Sequence, residues 1–135
     1  MTKKEVYYSF DQFKKALLRL DEAVTLASDG DELKRDGTIQ RFEFTFELMW
    51  KMLKIFLRFE GKETTTPRTT LKEAFKQQML NDDEEAFLAM IDDRNLSSHT
   101  YNAKTVENIF EKIKTIYLPA LKRLEKEMGK RVDMS

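Results

Sequence analysis

Apolar residues recur at steps of three and four along most of the chain, which is the spacing of helices with one buried face. The first predicted helix spans about Lys3 to Ala27. Its apolar stripe consists of Phe10, Phe13, Leu17, Leu20 and Val24. The second predicted helix runs from about Asp36 to Phe59. Its apolar surface is wider than one stripe, which is typical of a central helix or of one that faces a partner chain.

Capping residues divide the next part of the chain into shorter helices. Thr66 and Pro67 suit an N-cap and a first helical position, and a third helix should follow through about Gln78. Its predicted inward-facing residues are Leu71, Ala74 and Phe75. A fourth helix should start at the acidic run from Asn81, because acidic side chains suit the positive end of the helix dipole.

The last predicted helix begins at Asn102 as its cap, and Pro119 is expected to kink it because proline removes one backbone donor. No strand-like alternation and no internal repeat occur in the sequence. The pattern therefore predicts an all-α, up-and-down bundle of four to five helices with a kinked last helix. We expect one domain over residues 1–128 and a flexible tail over residues 129–135.

The charges of the chain balance, with 24 Lys and Arg against 24 Asp and Glu. This composition lacks the electrostatic footprint of a general nucleic-acid binder, so any contact with RNA must be local. Cations do concentrate in the middle of the sequence, at Lys51, Lys54, Arg58, Lys62, Arg68, Lys72 and Lys76. They fit guidance of RNA, guidance of an acidic partner, or simply solvated helix faces.

The chain has no cysteine and a single histidine, which excludes disulfides, thiolate metal sites and multi-histidine metal sites within one chain. We therefore expect neither a metal nor another cofactor. The first residues lack the apolar stretch of a signal peptide, and no segment approaches the roughly 20 apolar residues that span a bilayer. These features predict a cytoplasmic protein with no membrane partner.

Candidate chemistry concentrates in one segment, from Arg94 through the single histidine, His99, to Tyr101. Histidine titrates near neutral pH, and the arginine fork matches a phosphate. On a continuous helix Arg94 and His99 would lie roughly 140° apart, so they converge only if the helix ends near Leu96. The alternative is structural, since Arg94 could pair with Asp92 or Asp93. Asp93 could also support the site by orienting Arg94 or His99.

The pattern Arg94-x4-His99-x-Tyr101, placed between the fourth and fifth helices, resembles the motif of the HEPN superfamily. More narrowly, it resembles HepT-like proteins and the related nucleotidyltransferase substrate-binding family. Three further segments are similar to that family, at residues 46–51, 66–68 and 117–121. The likeness covers roughly Phe10 to Met128.

The resemblance implies a metal-independent ribonuclease, the toxin of a toxin–antitoxin pair whose antitoxin is a minimal nucleotidyltransferase. It implies a homodimer whose cleft brings together Arg94 and His99 of both chains as catalytic residues. A dimer would also supply a second imidazole, so that one histidine acts as base and the other as acid. Asn95 suits the polar position after the arginine, and Tyr101 corresponds to the tyrosine to which the partner adds AMP. The alternative is a non-catalytic subunit that binds a substrate or nucleotide for a two-component nucleotidyltransferase.

Overall fold

The structure is a computed structural model that describes residues 2–97 and 102–134. Its helices are α1 (Lys3–Ala27), α2 (Glu32–Phe59), α3 (Pro67–Lys76), α4 (Glu84–Ser97), α5 (Ala103–Lys112) and α6 (Leu118–Met134). A π-helical segment, Ile113–Tyr117, joins α5 to α6 without a break. The described residues contain no strand, and the predicted all-α bundle is confirmed. Among these residues no helix is both long enough and apolar enough to cross a membrane.

The two long helices, α1 and α2, pack antiparallel through small side chains. The hydroxyl of Thr45 donates to the carbonyl of Ala16 at 3.3 Å, and the hydroxyl of Thr38 donates to the carbonyl of Ala23 at 3.3 Å. All four residues are buried. Because the contacts repeat every seven residues in opposite directions along the two helices, the close approach continues over about two turns. This hairpin forms the scaffold on which the other helices pack.

The boundaries of α1 and the start of α3 follow the predicted caps, whereas the start of α2 does not. The bounds of α1 agree with the prediction, and the Thr66 hydroxyl caps α3 in a capping box with Thr69. Helix α2 instead begins four residues before the predicted Asp36, because the Asp31 side chain caps it by accepting from the Lys34 amide at 3.0 Å. The apolar stripe starts later than the cap, so periodicity alone places this helix start too late.

Phe75 does not face inward as predicted, since 47% of its surface is exposed. The buried face of α3 consists of Thr70, Leu71 and Ala74. At 100° per residue, Phe75 lies roughly 40° beyond Leu71 and so falls past the edge of that face.

The last helix is irregular at the predicted place, but the irregularity is a π segment that precedes Pro119. The Leu118 amide donates to the carbonyl of Ile113, five residues back, instead of to the carbonyl four residues back. At its other end, α6 continues beyond residue 128, where the sequence pattern predicts a flexible tail. It reaches Met134, and Val132 is buried at 1% exposure. Val132 lies one turn after Met128, so it adds a further buried position to the same stripe.

The π segment places Tyr117 between α2 and α4. The Tyr117 ring stacks on Phe42 with 5.4 Å between ring centroids, and its hydroxyl donates to the Asp93 carboxylate. The Lys112 ammonium lies 3.3 Å from the same carboxylate oxygen. Asp93 is 6% exposed, and a carboxylate so buried needs partners of this kind. Burial first, and then the bond to Asp93, raise the pKa of the Tyr117 phenol far above its ordinary value of 10.0.

This raised pKa predicts a loss of stability at alkaline pH that Tyr117→Phe removes. Above about pH 10 the unfolded chain releases the phenol proton while the folded chain keeps it, so the free energy of unfolding falls as pH rises. The advantage of the wild type over Tyr117→Phe should therefore shrink by at most about 1.4 kcal/mol per pH unit. Urea unfolding of both proteins from pH 8 to pH 11 measures it.

Tyr8→Phe is the matched control, because Tyr8 is 67% exposed. Its unfolding free energy should track the wild type across the same range. A difference between wild type and Tyr117→Phe that stays constant with pH would contradict the proposed contact.

Candidate functional site

Arg94 lies on α4 and turns its guanidinium toward α2. The guanidinium carbon is 5.0 Å from the centroid of the buried Phe46 ring, and Nη1 donates to Oε1 of Glu47. Nη2 donates to Oδ1 of Asn95 at 3.3 Å. The Arg94 side chain remains 23% exposed. The aromatic face and the carboxylate thus fix the guanidinium, while part of it still faces solvent.

Glu47 belongs to this site, although the sequence alone did not single it out as a candidate. Its Oε2 accepts from Nε1 of Trp50 at 3.2 Å and lies 3.9 Å from the Lys51 ammonium. The side chain is 35% exposed. Two signals for it were present in the sequence. Trp50 and Lys51 follow Glu47 at i+3 and i+4, and all three belong to a segment that resembles the nucleotidyltransferase substrate-binding family.

The Asp93 carboxylate contacts other residues than the neighbouring Arg94 guanidinium. The described partners of Asp93 are Tyr117 and Lys112 on the last helix, and the ion-pair partner of Asp92 is Arg68 on α3, at 3.9 Å. The alternative pairing of Arg94 with either aspartate is therefore replaced by the pair with Glu47. The reason is helical geometry, because consecutive residues point about 100° apart. The described contacts of Asp93 join α4 to the last helix, and its predicted support of the site stays a prediction.

Asn95 follows Arg94 and accepts one of its hydrogen bonds, and its supporting role stays a prediction. His99 and Tyr101 lie outside the described residues. The predicted convergence of His99 with Arg94, and the role of Tyr101, therefore stay predictions.

Two lysines of α2 lie close to the side chains that surround the guanidinium. The Lys54 ammonium lies 5.8 Å from the centroid of the Trp50 ring, and Lys51 follows Glu47 by one turn of the same helix. Arg94 and Lys51 are thus the two cations at the carboxylate of Glu47, and Lys54 lies beside the Trp50 ring. We call these five residues, Glu47, Trp50, Lys51, Lys54 and Arg94, the Arg94 cluster. A fixed guanidinium beside ammonium groups and an indole can bind an anion such as a phosphate.

The described part of the chain offers no group of three or more acidic or histidine side chains arranged to hold a metal ion. Residues of the Arg94 cluster are donors of hydrogen bonds, with the exception of Glu47. The chemistry of this donor set suits an anionic ligand.

Comparisons with known proteins agree with the fold and with the resemblance. A Thermus thermophilus protein of known crystal structure is 38% identical, with a TM-score of 0.75, and the alignment covers 89% of this chain and 98% of that one. A Haemophilus influenzae protein is 24% identical, with a TM-score of 0.78 and the same coverage. Its structure is described as revealing the fold of a substrate-binding domain of a nucleotidyltransferase. None of the curated proteins matches the chain.

The family model described as nucleotidyltransferase substrate binding protein like matches residues 8–130. That range includes α2 to α5 completely, together with all of α1 except its first residues and all of α6 except its last residues. The chain therefore belongs to the nucleotidyltransferase substrate-binding protein-like family.

Proposed function

We propose that this protein is the substrate-binding subunit of a two-component nucleotidyltransferase, and that the Arg94 cluster binds a phosphate group of the substrate. The family membership supports the partnership with a nucleotidyltransferase. The observation that carries the binding site is the position of Arg94, which is fixed on Phe46 and paired with Glu47 yet partly open to solvent. The substrate is accordingly a nucleotide or another phosphorylated molecule.

The arrangement of Arg94 lowers the cost of binding an anion. An arginine that is free in solution loses side-chain entropy when a ligand immobilises it. Here the stacking on Phe46 and the bond to Asn95 already hold the side chain, so less freedom remains to be lost. Two phosphate oxygens can then accept two parallel hydrogen bonds from the guanidinium fork.

Substitution of Arg94 tests this proposal directly. Arg94→Ala should weaken binding of AMP or ATP by about tenfold to a hundredfold, the range expected for the loss of a charge-assisted hydrogen bond. Arg94→Lys should retain part of the affinity, because lysine keeps the charge but lacks the planar fork. Isothermal titration calorimetry measures both, with circular dichroism to confirm that each variant is folded.

Arg19→Ala is the matched control, since Arg19 is an exposed arginine on α1 and its loss changes the net charge equally. It should bind nucleotide like the wild type. If the wild type binds no nucleotide, or if Arg94→Ala and Arg19→Ala bind equally well, the proposed binding site is wrong.

A second candidate function is a metal-independent ribonuclease toxin, and the motif Arg94-x4-His99-x-Tyr101 favours it. In this mechanism a homodimer supplies two histidines, one as base for the 2′-hydroxyl and one as acid for the leaving oxygen. Arg94 would stabilise the charge on the phosphorane. The partner nucleotidyltransferase would then act as antitoxin by adding AMP to Tyr101, which places negative charge beside the RNA site. The ion pair of Arg94 with Glu47 would have to open before Arg94 could serve this role.

Expression of the chain alone in a bacterial host separates the two functions. The ribonuclease predicts growth arrest that His99→Ala relieves, a dimer by light scattering, and a mass gain on Tyr101 after incubation with the partner enzyme and ATP. The binding subunit predicts normal growth together with nucleotide affinity. Growth arrest that persists in His99→Ala would exclude the ribonuclease as its cause.

A further inference from the structure

Three hydrogen-bond donors of the Arg94 cluster converge on one carboxylate. Nη1 of Arg94 binds Oε1 of Glu47, Nε1 of Trp50 lies 3.2 Å from Oε2, and the Lys51 ammonium lies 3.9 Å from Oε2. The donors come from two helices and differ in chemical type. A guanidinium, an indole N–H and an ammonium around one small anion form a typical anion-binding arrangement.

The single negative charge of Glu47 does not neutralise the positive charge of the cluster. Arg94 and Lys51 bring two positive charges to Glu47, which supplies one negative charge, and Lys54 adds a further positive charge beside the Trp50 ring. A phosphate monoester carries about −1.5 to −2 at neutral pH and has three acceptor oxygens. It would satisfy the same donors better than Glu47 does, both in charge and in number of acceptors.

We propose that the Glu47 carboxylate occupies the phosphate position of the Arg94 cluster and that the ligand must displace it. This inference rests on the proposed function and adds a preference for doubly charged ligands to it. A ligand with two negative charges attracts the donors more strongly than Glu47 does, whereas a ligand with one negative charge has no such advantage over the attached carboxylate. The site therefore favours a terminal phosphate, as in a mononucleotide, over the phosphodiester of an RNA backbone.

Displacement is sterically feasible because Glu47 lies at the surface of the cluster. Its side chain is 35% exposed and Lys51 is 58% exposed, so the carboxylate can rotate into solvent without breaking the core. Phe46 remains under the Arg94 guanidinium and keeps it in place. The alternative role for Glu47 is to orient Arg94 for the ligand, and this role predicts the opposite effect of its removal.

Glu47→Gln tests the inference, because glutamine keeps the size of the side chain and removes its charge. Trp50 is the single tryptophan of the chain and donates to Glu47, so its fluorescence should report the exchange. The titrants are AMP, adenosine and the deoxydinucleoside phosphate d(ApA), which carries one diester charge and no 2′-hydroxyl. Calorimetry with the same ligands gives a second, independent measure of affinity.

The wild type should bind AMP more tightly than d(ApA) and adenosine. Glu47→Gln should bind AMP about two- to fivefold more tightly than the wild type, the effect expected when a partly exposed competing charge is removed. Its preference for AMP over d(ApA) should also shrink. Asp11→Asn is the matched control, because Asp11 is an exposed carboxylate paired with Lys15 on α1. It changes the net charge equally and should leave the affinity for AMP unchanged.

The outcomes distinguish this inference from the proposed function. If folded Glu47→Gln binds AMP equally or less tightly while the wild type still binds it through Arg94, Glu47 orients the guanidinium and the displacement model is overturned alone. If Asp11→Asn gains affinity as much as Glu47→Gln does, the effect is one of net charge and the model is also overturned. If neither protein binds AMP, the proposed function fails together with the inference.

Discussion

The position of α4 depends on two neighbouring charged residues that point in different directions. Asp93 accepts from Tyr117 on the last helix, and Arg94 donates to Glu47 on α2. Because consecutive helical residues are about 100° apart, rotation of α4 in either direction would strain one of these contacts. Each contact also carries a charge that would be costly to leave without a partner at its degree of burial. The two contacts therefore hold α4 between α2 and the last helix, at the turn that bears the candidate site.

The Asp93 contact in turn depends on the irregular last helix. Pro119 has no backbone N–H to donate to the preceding turn, and the Thr115 hydroxyl donates to the carbonyl of Glu111 at 2.7 Å. Both features weaken regular α-helical bonding around the π segment. One extra residue in a turn rotates the two halves of the helix against each other by about 100°. The π segment thus lets Tyr117 face Phe42 and Asp93 while the stripe of α6 still faces the core.

The sequence predicts those structural features that depend on residues close together in the chain. The bounds of α1, the caps at Thr66 and Asn102, and the disturbance before Pro119 follow from residues within a few positions of each other. The partners of the charged residues were not predictable in this way. Arg94 and Glu47 are 47 residues apart, and Tyr117 and Asp93 are 24 apart. Which acid an arginine binds depends on how two helices are rotated against each other, and periodicity gives the buried face of each helix but not their mutual register.

The distribution of charged side chains over the bundle indicates which kind of ligand the protein can bind. Several exposed cations of the bundle are matched by acids, as in the pairs of Arg123 with Asp83 and of Lys122 with Asp21. A long nucleic acid needs many unmatched cations in a row, since its affinity comes largely from counterion release along the backbone. The Arg94 cluster instead concentrates its excess of positive charge at one small site on α2 and α4. A local group of cations on a chain of balanced charge suits a compact anion, which is the kind of ligand proposed for this site.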